Sequence, residues 1–198
     1  MVDKISQEIS SVEKVTSGEI VPVIAKKSSS YRTVDLVTAI IFGYIFVLVA
    51  VEFDHKAGIL HFLIYNFSGI IIALFLVRFN ALKRFLVPSK VKEDKVHKAA
   101  LSAFHRYGIH RTKHKTGILI YVSLMERMVV VLGDEGINSK VSESEWRNAV
   151  SIIIKGIKDG DVEQGVVNGI ESCRELLKTH FPVASDDINE LPNNVIYE

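Results

Sequence analysis

The chain has 198 residues, 24 basic against 23 acidic side chains, and a net charge of +1. That balance lacks the basic excess that draws a protein to a phosphate backbone, so no nucleic-acid partner is expected. The single cysteine, Cys173, excludes an intrachain disulfide and a cysteine-built zinc site, while a 48% hydrophobic share with mean hydropathy +0.24 calls for a membrane explanation.

Ile5, Ile9 and Val12 recur at helical spacing and predict a short amphipathic helix, ended by Thr16-Ser17-Gly18. Residues 19–25 follow as a β-rich run. Pro22 within it has no N–H, which argues for an edge, a bulge or a strand end rather than a central ladder. Lys26-Lys27-Ser28-Ser29-Ser30 is a polar linker.

Two apolar runs come next, 36–51 and 59–77, and neither contains Asp, Glu, Lys or Arg. As helices they span roughly 24 and 28 Å, close to a hydrocarbon core. The seven-residue polar break between them permits only an antiparallel hairpin. Two buried helices of a soluble core are the alternative, but neither run keeps a polar stripe for water. Gly43, Ser68 and Gly69 suit close helix approach in lipid, and His61 and Asn66 need partners there. Lys26, Lys27 and Arg32 precede the hairpin. Arg78, Lys83, Arg84, Lys90 and Lys92 follow it, whereas the connecting loop sets Lys56 against Glu52 and Asp54. The positive-inside rule then places both flanks in the cytoplasm. Met1-Val2-Asp3-Lys4 opens no apolar signal region.

Pro88-Ser89 breaks the segment after the hairpin. Val96, Ala99, Ala100, Ala103, Phe104 and Tyr107 then form one buried helical face that Gly108 stops. A basic loop over 109–115 leads into a strand over 117–124. A second strand over 127–132 is separated from it only by Met125-Glu126, predicting a β-hairpin. Gly133-Asp134-Glu135-Gly136 closes that strand. Ser142-Glu143-Ser144-Glu145 has the form of a capping box ahead of Trp146, Val150, Ile153 and Ile157. After the turn Asp159-Gly160-Asp161, with Asp161 and Gln164 as caps, a last helix carries Val162, Val166, Ile170, Cys173 and Leu177 inward. Cys173 is a core residue there. Phe181-Pro182 ends that helix, and the tail 183–198 is acidic and irregular.

Several stretches resemble the TPM domain family, which includes a plant thylakoid-lumen protein of photosystem II repair. They are Thr16-Ser17-Gly18-Glu19-Ile20-Val21-Pro22-Val23, Gly117-Ile118-Leu119-Ile120-Tyr121-Val122-Ser123, Glu126-Arg127, Val129-Val130-Val131, Gly133-Asp134-Glu135-Gly136-Ile137 and Gly160-Asp161. His180-Phe181-Pro182 and Asn189-Glu190-Leu191-Pro192-Asn193 look like the tail of a membrane-associated bacterial subgroup. The resemblance covers residues 5–25 and 95–193. It implies a three-layer α/β/α sandwich with a small mixed sheet, here interrupted by a two-helix transmembrane hairpin. The domain parts are 1–30 and 90–182, with the hairpin at 36–77. Some family members are described as acid phosphatases or as binding a divalent cation, and many bacterial members are membrane-anchored with roles in envelope or complex maintenance. The commoner pattern has a secretory leader and a C-terminal anchor, from which this chain departs.

Asp134 and Glu135 beside two glycines could offer oxygens to a hard cation, calcium or magnesium, with Asp159 and Asp161 joining if their turn lies near. No calcium-loop spacing is present, and turn and cap roles explain the same residues. Phosphoester hydrolysis needs a metal or nucleophile and a cationic clamp. Arg127 is the candidate clamp, with Asp134 and Glu19 as candidate acids. His97, His105, His110 and His114 raise zinc, but only His110 and His114 have helical i,i+4 spacing, and these two lack an acidic ligand beside them and sit among cations, which argues against a metal. The basic loop could instead meet anionic headgroups. The expectation is a non-catalytic module of a bacterial inner membrane, in contact with lipid and membrane-associated protein partners. A metal-dependent phosphatase is the alternative.

Overall fold

Four β-branched residues in seven make Glu19–Ala25 a strand, β1, and the apolar stretch Gly117–Ser123 makes β2. In the computed structural model, which describes residues 2–53, 58–76, 78–183 and 188–198, these two strands pair in parallel with Glu19 opposite Gly117. Met128–Gly133 is β3, antiparallel to β2, and Ile196–Tyr197 is β4, parallel to β1. The order β3-β2-β1-β4 gives a mixed four-stranded sheet in a mostly helical fold.

The chain divides into two units, Met1–Ser28 with Glu93–Glu198, and Ser29–Lys92. In the first, strand alternation sorts side chains into two cores. Ile20, Ile24, Ile118, Ile120 and Val122 face one of them. There they meet helix α1 (Val2–Glu13), α6 (Glu135–Asn138), α7 (Arg147–Asp159) and α8 (Val162–His180). Val21, Val23, Ala25, Leu119 and Tyr121 face the other, against Val96, Ala100, Ala103 and Phe104 of α5 (Ser89–Arg106). Each fully buried Ile or Leu contributes about 1.5–3 kcal/mol. The predicted stripes of α1 and α8 are therefore real packing faces. At the α7–α8 turn, Gly160 takes φ +84° and Asp161 accepts from the Gln164 N–H at 3.0 Å.

Several expectations change. Pro22 lies in a strand with neighbours on both sides, yet its nitrogen faces the β4 side. The Glu19 N–H bonds Thr116 on the β2 side, so even-numbered N–H groups point the other way. There β4 begins only opposite Val23, so Pro22 meets no ladder partner among the described residues. The expected Met125-Glu126 turn is instead a four-residue connection, 124–127, because the β2–β3 ladder ends at Ser123 opposite Met128. Arg127 belongs to that turn at φ +53°, not to β3. The capping box at Ser142 opens a 3-10 turn, Glu143–Trp146, before α7 starts at Arg147. The acidic tail is not wholly irregular: it supplies β4 and buries Val195. Its residues 184–187 lie outside the described ones.

The second unit holds α2 (Arg32–Phe53), α3 (Ile59–Leu76) and the unforeseen α4 (Asn80–Leu86). The loop residues Asp54 and Lys56, and Val77 at the end of the second run, lie outside the described residues. Packing between α2 and α3 is through Ala39, Gly43, Val47, Gly69 and Ala73. A Cβ on Gly69 would stand 2.7 Å from the Phe46 Cβ and 3.0 Å from the Gly43 Cα. Lys83 of α4 donates to Asp35 of α2 at 2.9 Å. Both α2 and α3 are long and apolar enough to cross a membrane, by length and composition.

Candidate functional site

The residues with candidate chemistry fall at opposite ends of the sheet. Glu19 begins β1 opposite Gly117, and the Asp134 N–H donates to the Gly117 carbonyl at 2.9 Å. These two carboxyl-bearing residues therefore flank the start of β2, about 10 Å apart across two strand spacings. Arg127 sits beyond the far end of the β2–β3 ladder, and six paired residues make about 20 Å. A clamp at Arg127 does not reach chemistry at Asp134.

Glu19 is 6% exposed, and its carboxylate accepts the backbone N–H of Glu190 at 3.2 Å and of Leu191 at 3.3 Å. It fastens the C-terminal segment to β1. Asp134 caps α6, with Oδ1 accepting the Glu135 N–H at 2.8 Å. Among the described residues, its Oδ2 is buried without a hydrogen-bond partner. Glu135 is exposed, Asp159 ends α7, and Asp161 caps α8. Among the described residues, no group of three or more His, Cys, Asp or Glu side chains could hold a metal ion. A hard cation takes six to eight oxygens. The orphaned Asp134 oxygen fits one such contact, but the carboxylates brought together do not make the shell. His105 and His110 do approach, with ring centroids 5.0 Å apart.

Sequence reasoning overlooked a buried polar cluster at the carboxyl ends of β1 and β2, where open α/β sheets place ligands. Glu126, 4% exposed, accepts the Ser28 N–H at 3.0 Å and the Ser123 hydroxyl. Ser28 and Ser123 hydroxyls are 2.7 Å apart, and Ser28 donates to the Tyr121 hydroxyl at 3.5 Å. Burial pushes the Tyr121 phenol above its ordinary range, and the charge of Glu198 adds to this. Tyr107 is raised likewise, first by burial and then by donating to Glu198, which also receives Arg106 at 2.7 Å. A serine beside a carboxylate has the reach of a nucleophile and base. Here Ser123 is 0% exposed, closed off from the surface. The cluster locks the strand exits. The polar Ser123 ending an apolar strand, three residues before Glu126, was the available signal.

A mixed sheet packed among helices on both faces defines the class of domain. Residues 84–176, just under half of the chain, match the TPM domain model named TPM phosphatase. The fold is similar to the NMR structure of the BA42 protein from the psychrophilic bacterium Bizionia argentinensis. The identity is 26% and the TM-score 0.61, covering 99% of this chain and 91% of that one. No curated protein matches the chain. The chain carries a TPM-domain module. The matched span runs from α4 into α8, leaving α1, β1 and the C-terminal segment outside it.

Proposed function

We propose that the chain is a membrane-anchored TPM module that binds proteins at the cytoplasmic face of a bacterial inner membrane and performs no catalysis of its own. The observation that carries this reading is the exposure of α2 and α3. Within their most apolar 18-residue stretches only 22% and 11% of residues are buried. Ile40 is 65% exposed and Ile71 66%. A soluble core helix hides such side chains, and water does not tolerate so large a contiguous apolar surface. The cationic flanks at Lys26, Lys27, Arg78 and Arg84 set the orientation and suit anionic headgroups. Vesicle flotation tests the anchor. The full chain is expected to float with anionic vesicles and to resist alkaline carbonate extraction. Release by carbonate would overturn it.

A divalent cation at Asp134 is the second reading, favoured by the orphaned Oδ2. Thermal unfolding titrated with calcium and magnesium, wild type against Asp134→Ala, tests it. A cation at about 100 times its dissociation constant stabilises by roughly 2.7 kcal/mol. A shift lost in Asp134→Ala would support a cation-binding loop. Hydrolysis has less support, because Glu19 is engaged by the C-terminal segment and Arg127 stands a strand's length away.

A further inference from the structure

Among the described residues β3 is an outer strand of the sheet, and its register shows which backbone groups are used. The Asp134 N–H bonds Gly117, so the hydrogen-bonded pairs of this antiparallel ladder are Leu132 with Leu119, Val130 with Tyr121, and Met128 with Ser123. The polar backbone groups of Val129 and Val131, and the Gly133 N–H, therefore point away from the sheet. The Gly133 carbonyl is taken by the Asn138 side chain at 2.6 Å. Edge strands are normally guarded by charge, proline or a bulge. Met128–Gly133 contains no charged residue and no proline.

Two cavities, of about 450 and 520 Å³, lie along this edge. His97 of α5 and Ile154 of α7 line both. Helical walls thus stand on either side of the strand. We propose that the groove takes an extended segment of a partner protein as a fifth strand, with alternating apolar side chains and a lysine or arginine beside Glu93 and Asp94.

Successive side chains of a strand point to opposite faces, which matches two cavities flanking one edge. Glu93 and Asp94 line the smaller cavity with Lys98, leaving its rim net negative, and neither carboxylate is ion-paired among the described residues. A second copy of this chain would bring its own α5 and α7 against the same walls. Its six-residue edge, about 20 Å long, offers little toward the ~1,600 Å² of a standard interface. This inference rests on the protein-binding reading of the module, and not on the membrane anchor.

The test uses the full chain in lipid nanodiscs and a seven-residue probe of alternating valine and threonine with a lysine at each end. Amide hydrogen exchange is read residue by residue. At millimolar probe, exchange at Val129 and Val131 is expected to slow at least tenfold, while Val130 and Leu132 stay unchanged. Val131→Pro removes an outward donor and should abolish the slowing while Val130 keeps its protection. Ile154→Lys, which blocks the wall and leaves the strand intact, should abolish it too. A probe with glutamate at both ends should bind at least tenfold more weakly. No slowing in wild type, or the same slowing in both variants, would overturn the proposal. Concentration-dependent protection of β3 without probe would assign the edge to a second copy instead. Any of these failures leaves the flotation result untouched, so loss of the groove and loss of the anchor are separable.

Discussion

Glu19, the first residue of β1, accepts a hydrogen bond from the backbone N–H of Leu191 at 3.3 Å, across 172 positions of the chain. The same carboxylate takes the Glu190 N–H, and the segment after it runs on to pair β4 with β1. A residue suited by type to acid chemistry is thus a clasp. Glu19→Ala leaves two N–H groups without their acceptor. It should cost roughly 2–3 kcal/mol in denaturant unfolding, with Glu19→Gln about half as damaging. Amide exchange at Glu198, whose N–H bonds Ile24 at 3.1 Å, should accelerate in parallel.

Pro22 gives a test of strand parity. Its nitrogen faces the part of β1 that β4 does not cover. Pro22→Ala breaks no ladder bond and only loosens the unfolded chain, so it should cost no more than about 1 kcal/mol. Val23→Pro, one residue on, removes a donor directed at β2 and should cost about 3 kcal/mol or more. Chemical denaturation of the two variants reads the difference.

Cys173 is buried on α8, and burial pushes its thiol up to about 12. The raised folded value means that the neutral thiol is the form the native state prefers. Its contribution is fully present below the unfolded value near 9 and is lost as pH rises from there through about 12. Stability should fall over that window in wild type and less steeply in Cys173→Ala. At neutral pH a maleimide should label the thiol only on unfolding.

Gly69 brings α3 against α2. Any side chain there meets Phe46 and the Gly43 backbone, and helices cannot part locally without losing the Ala39 and Ala73 packing. Gly69→Val should destabilise the helix pair by about 1–3 kcal/mol. Thermal unfolding in detergent measures it, with Ile71→Val on the exposed face as a near-neutral control.

Much of the module was legible because its signals are local. The stripe Ile5, Ile9, Val12, the cap at Asp161 and the buried face of α5 each follow from spacing within one element. The missed features depend on distant partners. Ile196 and Tyr197 become a strand only because β1 lies beside them, and two residues carry no periodicity. Ser28 and Glu126 are 98 positions apart, so their hydrogen bond has no sequence signature. The primed turn chemistry absent from Met125-Glu126 signalled a longer connection, which Arg127 completes at positive φ. Asp134 and Arg127 are seven positions apart in sequence, and a strand between them carries them to opposite ends of the sheet.

The membrane anchor is tested most directly by spin labels on the outward faces of α2 and α3. Ile40→Cys and Ile71→Cys, each in a Cys173→Ala background, would be labelled and the chain reconstituted in lipid nanodiscs. Collision with oxygen and with a water-soluble nickel chelate reports depth in the bilayer. Both labels are predicted to be open to oxygen and shielded from the chelate, while a label at the exposed Lys95 of α5 shows the reverse. Chelate access at Ile40 and Ile71 equal to that at Lys95 would contradict a membrane hairpin.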